Sequence, residues 1–128
     1  MPLQTYSGSC NCGKVRFEIG LDLEGGTFKC NCTICWKVRF WGAVVNPDTF
    51  RLLSGEKDLT VYGDRRRHYF CKYCGVKIFG RGADGVRMVI SVASLDNLDV
   101  EAIVRAPVRY VDGRHDNFTA EPDFTAHL

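Results

Sequence analysis

The 128-residue chain has no strong excess of either charge: 17 Lys and Arg stand against 15 Asp and Glu, a formal net charge of +2. A protein that grips a phosphate backbone usually shows a strongly basic domain or a concentrated basic face, so nucleic acid is not expected as a partner. Metal-bound cysteines would narrow the margin further, since seven thiolates and two zinc dications together contribute about −3. No apolar run approaches the ~20 residues that cross a bilayer, so no membrane association is expected. The opening Met1-Pro2-Leu3-Gln4-Thr5-Tyr6 has neither a basic nor an apolar leader region, so secretion is not expected and a reducing, cytoplasmic setting is. Also missing are low-complexity tracts, repeats of solenoid period and Pro/Ser-rich linkers, which leaves one domain over residues 1–128. Helical periodicity is nearly absent.

What the chain does have is a globular composition, 45% hydrophobic and 25% charged, and a series of short β-prone runs. Val15, Phe17 and Ile19 alternate with polar residues, and Leu59, Val61 and Tyr62 form a second run that ends at Gly63. Further candidates are Phe40 to Val45, Phe50 to Leu53, His68 to Cys71, Val76 to Phe79 and Arg87 to Ala93, mostly bounded by Gly, Asn, Pro or Asp. These runs predict an all-β, single-domain fold of about eight short strands bent around metal sites, with at most one helical turn after Cys35.

Seven cysteines fall into three local groups: Cys10-Asn11-Cys12, Cys30-Asn31-Cys32-Thr33-Ile34-Cys35 and Cys71-Lys72-Tyr73-Cys74. In a reducing compartment such grouping indicates metal ligands or catalytic thiols before disulfides, and the odd number agrees. In an extended strand residues i and i+2 point to one face ~6.7 Å apart, so Cys-x-Cys is expected as a strand-borne chelate. Cys71-x-x-Cys74 followed by Gly75 suits a tight knuckle in which the glycine takes positive φ. Cys10 and Cys12 with Cys71 and Cys74 then make a closed four-cysteine zinc site that ties an N-terminal strand to a later hairpin.

The middle group can offer three ligands, Cys30, Cys32 and Cys35, from six residues. Three protein ligands and an exchangeable fourth position are the catalytic zinc pattern, whereas four protein ligands are the structural one. Two zinc ions per chain are therefore expected, the second more labile. Two alternatives stay open at this point: the middle thiols are spare, or an Asp or His closes a second site. Iron–sulfur ligation is disfavoured, because the spacings match neither the bacterial nor the plant-type ferredoxin run.

Gly8-Ser9-Cys10-Asn11-Cys12-Gly13-Lys14-Val15-Arg16-Phe17, the Cys30 to Cys35 segment and His68-Tyr69-Phe70-Cys71-Lys72-Tyr73-Cys74-Gly75 resemble the glutathione-dependent formaldehyde-activating enzyme family, which also includes the centromere protein V domain. The likeness runs on through Phe50 to Glu56 and Leu59 to Tyr62 and ends near Val111-Asp112-Gly113-Arg114, which places the core of the domain at about residues 5–115. It implies a β-tent zinc fold, a structural zinc on Cys10, Cys12, Cys71 and Cys74, and a catalytic zinc on Cys30, Cys32 and Cys35. It also implies a carbon–sulfur lyase that forms or breaks S-hydroxymethylglutathione from glutathione and formaldehyde, with a small thiol or glutathione adduct as partner. The contrasting expectation is a non-enzymatic zinc module that binds a protein.

Other residues carry weaker signals. Arg65-Arg66-Arg67-His68 could hold glutathione carboxylates or a phosphate, but such a run more often forms a solvated hairpin edge. Trp36 and Trp41 flank the middle cysteines and could wall a substrate site, although aromatics in β domains more often serve packing. His115 follows Asp112-Gly113-Arg114, where a turn could present a carboxylate beside an imidazole; an exposed loop histidine is the plainer reading. His127, one residue from the C-terminus, is expected to be disordered.

Overall fold

The computed structural model describes residues 3–128. The alternating run after the first cysteine pair becomes β2 (Arg16–Leu21), which buries Phe17, Ile19 and Leu21 and turns the residues between them toward solvent. It pairs antiparallel with β1 (Gln4–Ser9) on one side and β5 (Phe50–Ser54) on the other, giving a three-stranded sheet. Gly8 lies opposite Phe17 in this register, and a β-carbon there would meet the Phe17 ring at 2.0 to 2.7 Å, so the close approach requires glycine.

The remaining strands are β3 (Thr27–Cys30), β4 (Gly42–Val45), β6 (Leu59–Tyr62), β7 (Arg67–Cys71), β8 (Lys77–Arg81), β9 (Met88–Ser91) and β10 (Val108–Val111). They form a seven-stranded sheet in the order β10-β3-β4-β9-β8-β7-β6, antiparallel except where β10 runs parallel to β3. An aromatic ladder joins the two sheets: Phe17 stacks on Phe50 at 5.5 Å, Phe50 meets Phe79 at 5.0 Å, and Phe79 stacks on Tyr69 at 4.4 Å between ring centroids. Val15, Ile78, Met88, Ile90 and Val92 fill the rest of this core and are fully buried.

The all-β expectation holds, but ten strands replace the expected eight among the described residues. The seven runs named from the sequence fall on strands with ends shifted by about two residues at most, as in β4, which begins at Gly42 rather than Phe40. The three unexpected strands have little pattern to read: β1 is polar apart from Tyr6, β3 has only four residues, and β10 joins its neighbour through a distant parallel pairing. The helical turn begins before Cys35, as α1 (Thr33–Val38), and ends at Arg39 in the left-handed region. A second helix, α2 (Val100–Arg105), exposes Val100 and Val104 and so lacks an amphipathic stripe, although its N-cap Asp99 accepts from the Ala102 amide at 2.6 Å.

Candidate metal centres

The first cysteine pair sits in the turn between β1 and β2, and the last pair runs from Cys71, the final residue of β7, to Cys74 in the turn before β8. The two turns share one design. The Cys10 amide donates to the Val15 carbonyl at 3.1 Å and the Gly13 amide to the Cys10 carbonyl at 3.2 Å. In the second turn the Cys71 amide donates to the Val76 carbonyl at 3.0 Å and the Gly75 amide to the Cys71 carbonyl at 2.8 Å. Gly13 and Gly75 both take φ of +79°, the conformation glycine allows without strain. The knuckle expected at Gly75 is therefore present. The strand-borne chelate expected at Cys10-x-Cys12 is not, because Cys12 lies in the turn rather than on β1; a turn brings the two thiols closer than the ~6.7 Å of an extended i, i+2 pair.

Sulfur separations identify what the turns can hold. Cys10 Sγ lies 3.5 Å from Cys12 Sγ, and Cys12 Sγ lies 3.7 Å from Cys71 Sγ. Those lengths are far beyond a disulfide bond of about 2.05 Å, and they match the ~3.8 Å edge of a tetrahedron with zinc–sulfur bonds of about 2.3 Å. With Cys74, all four sulfurs lie within 4.8 Å of one another. Crowding separates their acidities. Against the upward pull of burial, the Val15 amide and the Cys12 thiol lower Cys10, and the Val76 amide helps to bring Cys74 down to about 6. The Lys14 amide favours the Cys12 thiolate, but burial and the adjoining sulfurs push that thiol up to about 11. All four sulfurs can ionise together at this spacing only with a cation among them.

The middle group is assembled from the end of β3 and the start of α1. Cys30 closes β3, Cys32 is the N-cap of α1, and Cys35 lies one turn further on, so the helical turn rather than an extended segment folds the three sulfurs together. They lie within 4.8 Å of one another, and among the described residues no Asp, Glu or His donor joins them. Contact with Cys30 and Cys35 lowers the Cys32 thiol strongly, while Cys32 raises Cys30, and Cys30 with Cys32 raises Cys35. The three thiols thus titrate as a coupled group, and a cation among them favours ionisation of all three.

The backbone beyond β10 closes over this group. Gly113 packs so near that a β-carbon would lie 2.3 Å from Cys30 Sγ and 3.2 Å from Cys32 Cβ. Asn31, between two of the cysteines, donates from Nδ2 to Asp112 Oδ1 at 2.8 Å and accepts the Arg114 amide at 2.9 Å. The carboxylate and imidazole expected near Gly113 do pair: His115 Nδ1 lies 2.9 Å from Asp112 Oδ2, and the His115 side chain remains exposed. The Asn31 amide and the His115 ring hold the Asp112 carboxyl below the usual carboxylate range.

Cys30, Cys32 and Cys35 open into a cleft of about 1000 Å³ that spreads over one face of the seven-stranded sheet. Phe28, Phe40 and Phe118 give it apolar surface. The tryptophans do not line it: Trp41 packs against the core and donates from Nε1 to Thr27 Oγ1 at 2.8 Å, and Trp36 carries the Arg39 guanidinium 4.0 Å above its ring. Of the basic run, Arg66, Arg67 and His68 reach the cleft and Arg65 does not. Lys77, which no sequence signal marks as a site residue, holds Nζ 2.8 Å from His68 Nδ1 and 4.0 Å from the Phe40 ring centroid. Burial lowers both, and the neighbouring ammonium lowers His68 further, so a neutral imidazole accepts from Lys77. At the C-terminus the His127 carbonyl accepts from Arg39.

A mainly β framework thus carries one four-thiol and one three-thiol group, each able to hold a metal ion. The chain belongs to the family described as glutathione-dependent formaldehyde-activating enzyme, whose pattern matches residues 5–110. It is also similar in fold to a Rhodobacter sphaeroides protein of known crystal structure, with a TM-score of 0.70 and 23% identity over 80% of this chain and 99% of that one.

The contact at Gly113 yields a direct check. Gly113→Ala should displace Cys30 Sγ and disturb the three-thiol centre while leaving the four-thiol centre intact. Elemental analysis should show one fewer bound metal per chain than in the parent with the melting temperature nearly kept; unchanged metal content would show that the contact does not constrain the site.

Proposed function

We propose that the protein is a zinc-dependent carbon–sulfur lyase acting on a glutathione or small-thiol adduct such as S-hydroxymethylglutathione. In this reading Cys10, Cys12, Cys71 and Cys74 hold a structural zinc, and Cys30, Cys32 and Cys35 hold a second zinc at the reaction site. The carrying observation is that a three-thiol group, joined by no further donor among the described residues, opens into a large cleft. Membership of the formaldehyde-activating family supports the reaction class.

In the forward direction the thiol sulfur bonds to the aldehyde carbon, the carbonyl π bond becomes a hydroxyl, and the thiol proton ends on that oxygen. The reverse step restores both reactants without oxidation or reduction. A zinc ion on the three cysteines would supply Lewis acidity that lowers the pKa of the incoming thiol. The chain contributes the surroundings. Phe28, Phe40 and Phe118 provide apolar walls, and Lys77, held by His68 and Phe40, offers an N–H donor on the wall shared with Cys32 and Cys35. An oxygen that gains negative charge as the carbonyl opens is stabilised by such a fixed donor.

Cobalt substitution tests the thiol chemistry. Millimolar glutathione or another small thiol should alter the cobalt–thiolate spectrum of the three-cysteine centre; indifference to every thiol would favour the non-enzymatic module that binds a protein partner. The division of labour between the sites is tested by mutation. Structural zinc contributes on the order of 10–16 kcal/mol in zinc-finger peptides, as much as or more than the whole stability of a small domain. Cys74→Ser should therefore give insoluble or molten protein. Cys35→Ser should give folded protein carrying one zinc and no lyase activity. Equal destabilisation in thermal melts, or a Cys35→Ser variant that cannot fold, would contradict the assignment.

A further inference from the structure

Six cationic side chains line the cleft that the three cysteines open into: Arg66, Arg67, Lys77, Arg81, Arg87 and Arg109. They come from β7 and the turn before it, β8, the turn before β9, and β10, so no stretch of sequence announces them together. Among the described residues none of the six forms an ion pair; the ion pairs of the chain involve Arg51, Arg105 and His115. Asp84 is the one acid in the lining, and its Oδ1 already accepts the amides of Val86 and Arg87 at 2.9 and 3.0 Å. Arg109 donates to the Phe118 carbonyl, and Arg66 lies 4.6 Å from the Phe118 ring centroid, so both are held over the cleft by neutral groups.

The register sharpens the point. Arg67 and Arg81 are direct cross-strand partners in the β7–β8 pair, which puts two guanidinium side chains on the same face, neither in an ion pair among the described residues. Like charges directly opposite one another destabilise a sheet, so this arrangement costs the folded protein stability. An anion between them removes that cost, and guanidinium forks suit phosphate oxygens in paired hydrogen bonds. The cleft is also larger than a simple aldehyde and its thiol require.

We propose that the cleft selects a thiol adduct whose far end carries a phosphate group, with Arg67 and Arg81 at the centre of its recognition. The proposal rests on the thiol chemistry inferred above and, of the two substrate branches given there, takes the small-thiol adduct over the glutathione adduct. A phosphate dianion fits six cations better than glutathione does, because glutathione brings an ammonium along with its two carboxylates. The lining has a single acid group to receive that ammonium, Asp84, and its Oδ1 is already engaged with its own turn.

The matched probes are pantetheine and 4′-phosphopantetheine, which carry the same thiol with and without the phosphate. Calorimetry with the metal-loaded protein at low salt should show the phosphorylated thiol binding about tenfold more tightly or better. Moderate salt should shrink the difference, and inorganic phosphate should compete. The Arg67→Gln/Arg81→Gln double variant should lose the preference and melt no lower than the parent, since it also removes the like-charge pair. Equal affinity for the two probes would overturn the proposal. So would glutathione or mercaptosuccinate binding as tightly as 4′-phosphopantetheine, or a double variant that keeps the preference. The cobalt spectrum keeps the two inferences apart: no response to any thiol, with inorganic phosphate still bound through Arg67 and Arg81, would defeat the thiol chemistry and support the phosphate site.

Discussion

The fold depends on bringing Cys12 and Cys71, 59 residues apart, to a sulfur separation of 3.7 Å. The two hairpins that carry them belong to different sheets, so convergence at this point fixes how the three-stranded sheet sits against the seven-stranded one. The Phe17, Phe50, Phe79 and Tyr69 ladder makes the same connection with apolar surface. Packing and thiol clustering therefore reinforce one arrangement. Four thiolates at tetrahedral spacing would repel one another, and a cation among them would turn that liability into a cross-link.

The three-thiol centre is built on a different principle. Its ligands come from one short segment, so it closes no long loop and contributes little to holding the sheets together. What it requires is local: the helical turn that brings Cys35 back to Cys30, and the approach of Gly113 behind the Cys30 sulfur. Asn31 joins that backing segment to the cysteines through Asp112 and Arg114. The centre thus presents its open side to the cleft while its rear is covered by the chain that follows β10.

How much of this could be read in the sequence depends on whether the signal is local. The grouping of the cysteines into four and three follows from spacing, and the alternation of Val15, Phe17 and Ile19 marks β2 directly. The parallel β3–β10 pair joins residues about eighty positions apart and leaves no local pattern. Cys10-x-Cys12 was legible as a chelate but not as a turn, because the same spacing fits both backbones and only the Gly13 conformation distinguishes them. Trp36 and Trp41 stood close to the cysteines in sequence, yet packing turned them away from the cleft. Lys77, Arg81, Arg87 and Arg109 are each unremarkable in sequence, and only the sheet order places them around one cavity. Net charge concealed them as well, since a near-neutral total is compatible with a cleft whose charged side chains are cationic apart from Asp84.

The central claim is that two chemically distinct metal centres coexist, one serving the fold and one serving the reaction. Elemental analysis of freshly purified protein, repeated across a graded series of a mild chelator while the fold is followed by circular dichroism, tests it most directly. The account predicts two zinc ions per chain, falling to one while the β-sheet signal persists, with unfolding only when the second is removed. A firm value of one zinc before any chelator is added, or loss of both metals in a single step with the fold, would contradict it.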